Sequence, residues 1–160
     1  MKAISKFSAI AALSAVAASS GFAEDKGPYI AAIHARLYYE HSGELSDDIL
    51  ARKELALWNT GIGEGDSGGA STSTLVSVEV RGKDVPVSAL KVEIVARGLK
   101  RKVLSQQTVY VSLYDKKTKF FAPLWLYDTG CEAVEVSARL IGKGASKTVV
   151  KKTIPFACGE

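Results

Sequence analysis

Apolar and polar residues alternate with a period of two through most of the chain beyond residue 32. Ile33, Ala35, Leu37 and Tyr39 alternate with His34, Arg36, Tyr38 and Glu40, and Val76, Val78 and Val80 with Ser77 and Glu79. Leu90, Val92, Ile94 and Ala96 then alternate with Lys91, Glu93 and Arg97. Side chains on a strand point to opposite faces in turn, so each run predicts a half-buried strand. Further strands are predicted over Val109, Val111 and Leu113, over Val134, Val136, Ala138 and Leu140, and from Thr148 to Phe156. From Phe121 to Tyr127 apolar residues occupy both faces, which predicts a strand covered on each side. Turn signals separate these runs at Ser42-Gly43, Gly82-Lys83-Asp84, Arg97-Gly98, Asp115-Lys116-Lys117 and Gly142 to Ser146. Residues 46 to 58 admit two readings. Ser46-Asp47-Asp48 suits the start of a helix reaching Leu57, whereas Glu54 to Trp58 alternates; the favoured expectation is a turn over 46 to 50 followed by a strand.

About seven to nine short strands at nearly regular spacing predict an all-β fold, a sandwich of antiparallel strands that resembles the immunoglobulin-like class. One such domain accounts for residues 24–160. The resemblance is to an architecture and carries no activity with it. Its last two strands are expected to form a hairpin turning about Gly142 to Lys147, which sets Cys131 directly opposite Cys158. Antiparallel partners lie roughly 4.5 to 5.5 Å apart at Cα, within the reach of a disulfide. A structural disulfide staple is therefore expected, and the chain holds no Cys-x-x-Cys spacing that would favour redox work.

The amino-terminal residues change the picture of where such a domain works. Lys2 and Lys6 precede an apolar, Ala-rich run from Phe7 to Ala18, and Ser19-Ser20-Gly21-Phe22-Ala23 places small residues where a signal peptidase cuts. The run is roughly a dozen residues, too short for the ~20 of a membrane-spanning helix. Residues 1–23 read as a secretory signal peptide cleaved after Ala23, with the periplasm as the first expected destination and the medium as the second. Its removal takes two lysines and halves the formal charge of +4. The remaining chain is close to neutral, and nucleic acid is not an expected partner. No stable membrane insertion is expected either. With 47% hydrophobic and 8% aromatic residues, the composition supports a folded core.

Three short motifs resemble chemical ones, and each lacks its partners. Gly65-Asp66-Ser67-Gly68-Gly69 resembles the nucleophile segment of chymotrypsin-like serine proteases. The family's base lies upstream in an Ala-His-Cys context, which neither Ile33-His34-Ala35 nor Glu40-His41-Ser42 matches. Gly63-Glu64-Gly65-Asp66-Ser67-Gly68 has the spacing of a dinucleotide-binding loop, but a β-branched run follows instead of a helix, and the two acids repel phosphate. Asp128-Thr129-Gly130 resembles the active tripeptide of retropepsin-like aspartic proteases, which need paired carboxylates and most of their domain after the tripeptide. Here a turn entering the disulfide hairpin accounts for Asp and Gly. His34 and His41 sit an odd number of residues apart, so on one strand they face opposite sides and share no metal. Lys100-Arg101-Lys102 and Lys116-Lys117-Thr118-Lys119 flank one proposed strand, roughly 40 Å apart at ~3.3 Å per residue, and read as solvated turns. No catalytic set, metal or cofactor is expected.

The loop from Asn59 to Ser73 is long for a two-strand connection, and long loops tend to carry function. Trp58, Asn59, Glu64, Asp66 and Ser67 are the candidate binding residues there. The leading expectation is an exported, non-enzymatic binding module, of an inhibitor or immunity kind, that meets another envelope or exported protein through this Gly-rich loop or an exposed strand edge. Two alternatives stand beside it: a small-ligand carrier or hydrolase with a site near Asp128, and a structural component of the envelope.

Overall fold

The computed structural model describes residues 27–83, 85–86, 89–114 and 118–159. The expected signal segment 1–23 and the lysine pair Lys116-Lys117 lie outside the described residues. Strands β1 (Tyr29–Tyr39), β2 (Glu44–Leu45), β3 (Ser73–Arg81) and β6 (Lys119–Leu126) form one sheet, in the order β2-β1-β3-β6. Strands β4 (Leu90–Arg97), β5 (Val103–Tyr110), β7 (Val134–Gly142) and β8 (Val149–Ile154) form the other, in the order β5-β4-β7-β8. Both sheets are antiparallel throughout. The protein is thus the expected all-β sandwich. β1, β3 and β6 take the places of the immunoglobulin A, B and E strands, and β4, β7 and β8 those of C, F and G.

The period of two in the sequence sets the packing. Ile33, Ala35 and Leu37 of β1 and Val76, Val78 and Val80 of β3 point inward from one sheet, against Val92, Ile94 and Ala96 of β4 and Val136 of β7 from the other, all buried. Full burial of one such aliphatic side chain contributes about 1.5 to 3 kcal/mol. A one-residue slip of any strand would turn its apolar set to water, which fixes the register.

Several boundaries differ from the sequence expectation. The strand expected around Val109 to Leu113 begins earlier, at Val103; Val111 and Leu113 instead drop into the core, where Leu113 bridges Val85. The segment 46–58 forms neither the helix nor the favoured strand. The Ser46 and Ile49 amides donate to Leu37 O and Ala35 O, while Leu37 N and Ala35 N donate to the Ser46 hydroxyl and the Asp48 carboxylate. Side-chain oxygens stand in for strand carbonyls along the edge of β1, so this stretch is ordered without a regular ladder. Of the expected 54–58 strand only Trp58 pairs, in a single parallel bridge to Ala157. His41 lies in the turn after β1 rather than on the strand.

The disulfide forms between Cys131 and Cys158, with Cα atoms 4.4 Å apart. Its surroundings differ from a hairpin cross-link. The β7–β8 ladder runs from Arg139↔Val149 to Val134↔Ile154, one residue out of the expected register, which would set Glu135 opposite Ile154. Both cysteines lie beyond the ladder's end. Past it, Ala157 N donates to Leu57 O and Asn59 N donates to Ala157 O, so the segment after β8 is clasped to the 57–59 segment on one side and bonded to Cys131 on the other. Replacing both cysteines by Ser removes a cross-link between positions 27 apart and should lower unfolding free energy by about 3 to 4 kcal/mol in urea titrations, with the far-ultraviolet spectrum of the sandwich retained.

Candidate functional site

The Gly-rich loop is built into the framework. Asn59 (φ 46°) and Gly63 (φ 80°) in left-handed conformation flank a 3-10 turn over Thr60–Ile62. A side chain on Gly65 would strike Ala56 O, which already accepts from Asp66 N, so this position needs glycine. The five residues that the sequence singles out are spent on this architecture. Asn59 donates to Glu64 Oε2 at 2.7 Å and accepts from Gly159 N at 3.1 Å. The Asp66 carboxylate accepts from Ala56 N, and the Ser67 hydroxyl donates to Glu64 O. Ser67 is buried, and Tyr39 OH donates to its carbonyl. Its hydroxyl has no imidazole partner. Trp58 is half exposed, but its indole lies against Gly159, where a Cβ would clash with the ring. Ile62 is the one large apolar side chain of residues 59–73 that stands exposed.

Asp128 is an exposed turn residue at φ 53°, and its carboxylate makes no bond within the described residues. The next two residues anchor the turn. Thr129 N donates to Thr72 O, its hydroxyl pairs with that of Thr74 at 2.9 Å, and Gly130 packs against Thr60 so closely that a Cβ would overlap Thr60 Oγ1. The tripeptide joins loop to sheet. Among the described residues, no group of three or more His, Cys, Asp or Glu side chains is placed to hold a metal ion.

The outer face of the β2-β1-β3-β6 sheet is different. Pairing aligns its outward side chains in rows across β1, β3 and β6: Ala32, Glu79 and Phe121; His34, Ser77 and Pro123; Arg36, Leu75 and Trp125. Tyr38, opposite Ser73, and Tyr127, just past β6, lie beyond the last row. Phe121 is 52% exposed, Trp125 37% and Tyr127 70%. Tyr38 meets Trp125 edge-on with centroids 5.6 Å apart, and Trp125 lies nearly parallel to Tyr127 at 6.5 Å. The expectation that this strand is covered on both faces is corrected here. Ala122, Leu124 and Leu126 face the core, while the outward set has nothing over it among the described residues. The signal was present as large rings alternating with small and aliphatic residues; both sets are apolar, so periodicity alone does not separate them.

A charged cluster borders the rings. His34 Nδ1 lies 2.7 Å from Asp48 Oδ2, and Nε2 lies 3.5 Å from Glu79 Oε2. Glu79, buried on its strand, accepts from Arg81 Nε at 2.7 Å and has Lys119 Nζ at 3.7 Å. The His34 ring stands 6.2 Å from that of Phe121. The hydrogen bond from Arg81 leads in holding the Glu79 carboxyl below its ordinary value; burial opposes it, and the charge of Arg81 and the contact with His34 reinforce it. For Asp48 the largest single influence is burial, which favours the acid. Hydrogen bonds from Ala35 N, His34 and Leu50 N together overcome it, and the carboxyl still titrates below its ordinary value.

No family profile and no curated protein matches the chain. Among solved structures, a Bacteroides fragilis protein assigned as a beta-galactosidase matches with a TM-score of 0.42 and 13% identity over 52% of this chain. A glycosyl hydrolase family 2 member from Bacteroides cellulosilyticus gives 0.42 and 12% over 52%. A beta-glucuronidase from glycoside hydrolase family 2 gives 0.41 and 7% over 82%. The chain spans 14%, 12% and 11% of those proteins respectively.

Asp48 and Glu79, two of the carboxyls held below their ordinary values, set a pH dependence. In the unfolded chain Asp48 and Glu79 bind protons at their ordinary values of about 4, and in the native state only at lower pH. Their contribution is therefore present above that range and is lost as pH falls through the native values. The urea midpoint should fall steeply below about pH 4, and Asp48→Asn should flatten that fall. The same variant weakens the acceptor for Ala35 N and should cost about 1 to 3 kcal/mol at neutral pH.

Proposed function

We propose that the protein is an exported, non-enzymatic binding module, with the periplasm its first location, that engages another exported protein through the outer face of β6 and its neighbours. The observation that carries this reading is the bare row Phe121, Pro123, Trp125 and Tyr127, backed by Tyr38 and Leu75. Contiguous exposed aromatics cost solubility, and on soluble proteins they mark interaction sites. Trp, Tyr and Arg are the residues that dominate measured interface energies, and here Trp125 and Arg36 share a row while Tyr38 meets Trp125 from the next. Ring contacts between Tyr38, Trp125 and Tyr127 restrict the side chains before a partner arrives, which lowers the ordering cost of binding.

Two further facts fit export: the closed Cys131–Cys158 bond, and the lack among the described residues of a helix long and apolar enough to cross a membrane. The 59–73 loop serves this reading as scaffold, since Asn59, Glu64, Asp66 and Ser67 spend their polar groups on main chain and on each other.

Trp125→Ala combined with Tyr127→Ala changes only the outer face and should leave thermal unfolding within a few degrees of the parent. In quantitative capture from a periplasmic extract the retained partner should bind at least about 30-fold more weakly, the effect of losing roughly 2 kcal/mol at a hot spot. Ile62→Ser, at the exposed tip of the loop, should capture as the parent does. The opposite pattern, in which Ile62→Ser abolishes capture and the double variant keeps it, would return the function to the loop.

A further inference from the structure

Four strand edges lie at the borders of the two sheets, and three carry devices that discourage pairing with another chain along the strand, whereas the fourth, β5, has only a bulge at its start, beside Arg97. β2 is two residues long, β6 has Pro123 at its centre, and β8 presents Lys151 and Lys152. β5 differs. Its eight residues, Val-Leu-Ser-Gln-Gln-Thr-Val-Tyr, contain no charge, no proline and no glycine, and most of its side chains are exposed. It pairs with β4 on one side and, among the described residues, with no strand on the other. From this edge we infer that two copies of the chain associate, β5 against β5, in an antiparallel pair with its two-fold axis at Gln107.

The backbone fixes which registers are possible. Val111 N donates to Leu90 O, so by antiparallel alternation Val109, Gln107 and Ser105 also direct their amides toward β4. Gln106, Thr108 and Tyr110 direct theirs to the open edge. Paired residues must both point across or both point away, so an axis through Gln107 is allowed and one between Gln106 and Gln107 is not. With the axis at Gln107, Gln106 meets the partner copy's Thr108 in a hydrogen-bonded pair, and Gln107 meets its own counterpart in a non-bonded pair. Ser105 then meets Val109, and Leu104 approaches Tyr110 at the ends, where β5 carries its bulge beside Arg97. The outward-facing sequence Leu-Gln, Thr-Tyr is thereby matched apolar to apolar and polar to polar.

Charge selects the same arrangement. The basic turn Lys100-Arg101-Lys102 leads into β5. A parallel pair would lay the two turns side by side. The antiparallel pair sets them roughly 35 to 40 Å apart at ~3.4 Å per residue, well beyond a Debye length of about 8 Å. The contact is isologous and closes as a dimer, joining two four-stranded sheets into one of eight strands. It lies on the sheet opposite the aromatic face and stands independently of the function proposed above.

Sedimentation of the purified chain from micromolar to millimolar concentration should show a reversible shift from monomer to twice the monomer mass. Thr108→Pro deletes an amide that points to the open edge while leaving the β4 ladder intact, and should hold the protein as monomer at every concentration. Gln107→Lys and Gln107→Glu each place like charges across the axis and should also be monomeric. Mixed in equal amounts, these two should recover the dimer. A parent chain that stays monomeric overturns the proposal and leaves the edge to a strand of some other protein. A dimer indifferent to Gln107→Lys overturns it as well, by placing the contact elsewhere.

Discussion

Everything in this molecule follows from a sandwich that has one interior and two outsides. Each strand gives one face to that interior, so the aliphatic positions of β1, β3, β4, β6 and β7 are fixed by a core that admits neither water nor a slipped register. The outward positions are released from that demand. On the β5-β4-β7-β8 sheet they are mixed, with Glu93 bonded to Arg139 and Glu135 to Lys151 beside exposed Leu104, Tyr110 and Ile141. On the other sheet they carry rings. The contrast between two outer faces built on the same core lies in the rings, which among the described residues meet one another on one face only.

One end of the sandwich is closed by covalent and main-chain ties. At the end that holds the disulfide, the segment after β8, the 57–59 segment and the Asp128 turn meet, held by the Ala157 clasp, the Cys131–Cys158 bond and the close fit of Gly130 on Thr60. Glycines there are selected by neighbours rather than by mobility. This is why the stretch from Gly61 to Gly69 looks like a flexible, chemical loop as a string of letters and is a packed corner in three dimensions. A serine between glycines exposes a nucleophile only if the turn around it is open, and the Ser67 hydroxyl already donates to the carbonyl of Glu64.

Strands whose two faces differ in polarity were legible from the chain alone, as were the sandwich and the cysteine pairing, because each rests on spacing. What could not be read rests on contacts between distant residues. Ser46 and Asp48 look like a helix start until Leu37 N and Ala35 N are seen to use them as edge acceptors. The outward rings of β6 look like core because an aromatic residue is apolar wherever it stands. The register of β7 on β8 is one residue from that implied by a turn about Gly142 to Lys147, and the two sulfurs still meet because they lie past the ladder, where the chain is free to bend.

Both tryptophans of the chain fall in the regions that matter. Trp58 lies under Gly159 at the clasped corner, and Trp125 stands in the row of outward rings. Intrinsic emission therefore reports on two places at once: loosening of the tail changes the wetting of one indole, and occupancy of the sheet face changes that of the other. A chain carrying a single indole would let light tell an opened corner from a covered surface without any attached dye.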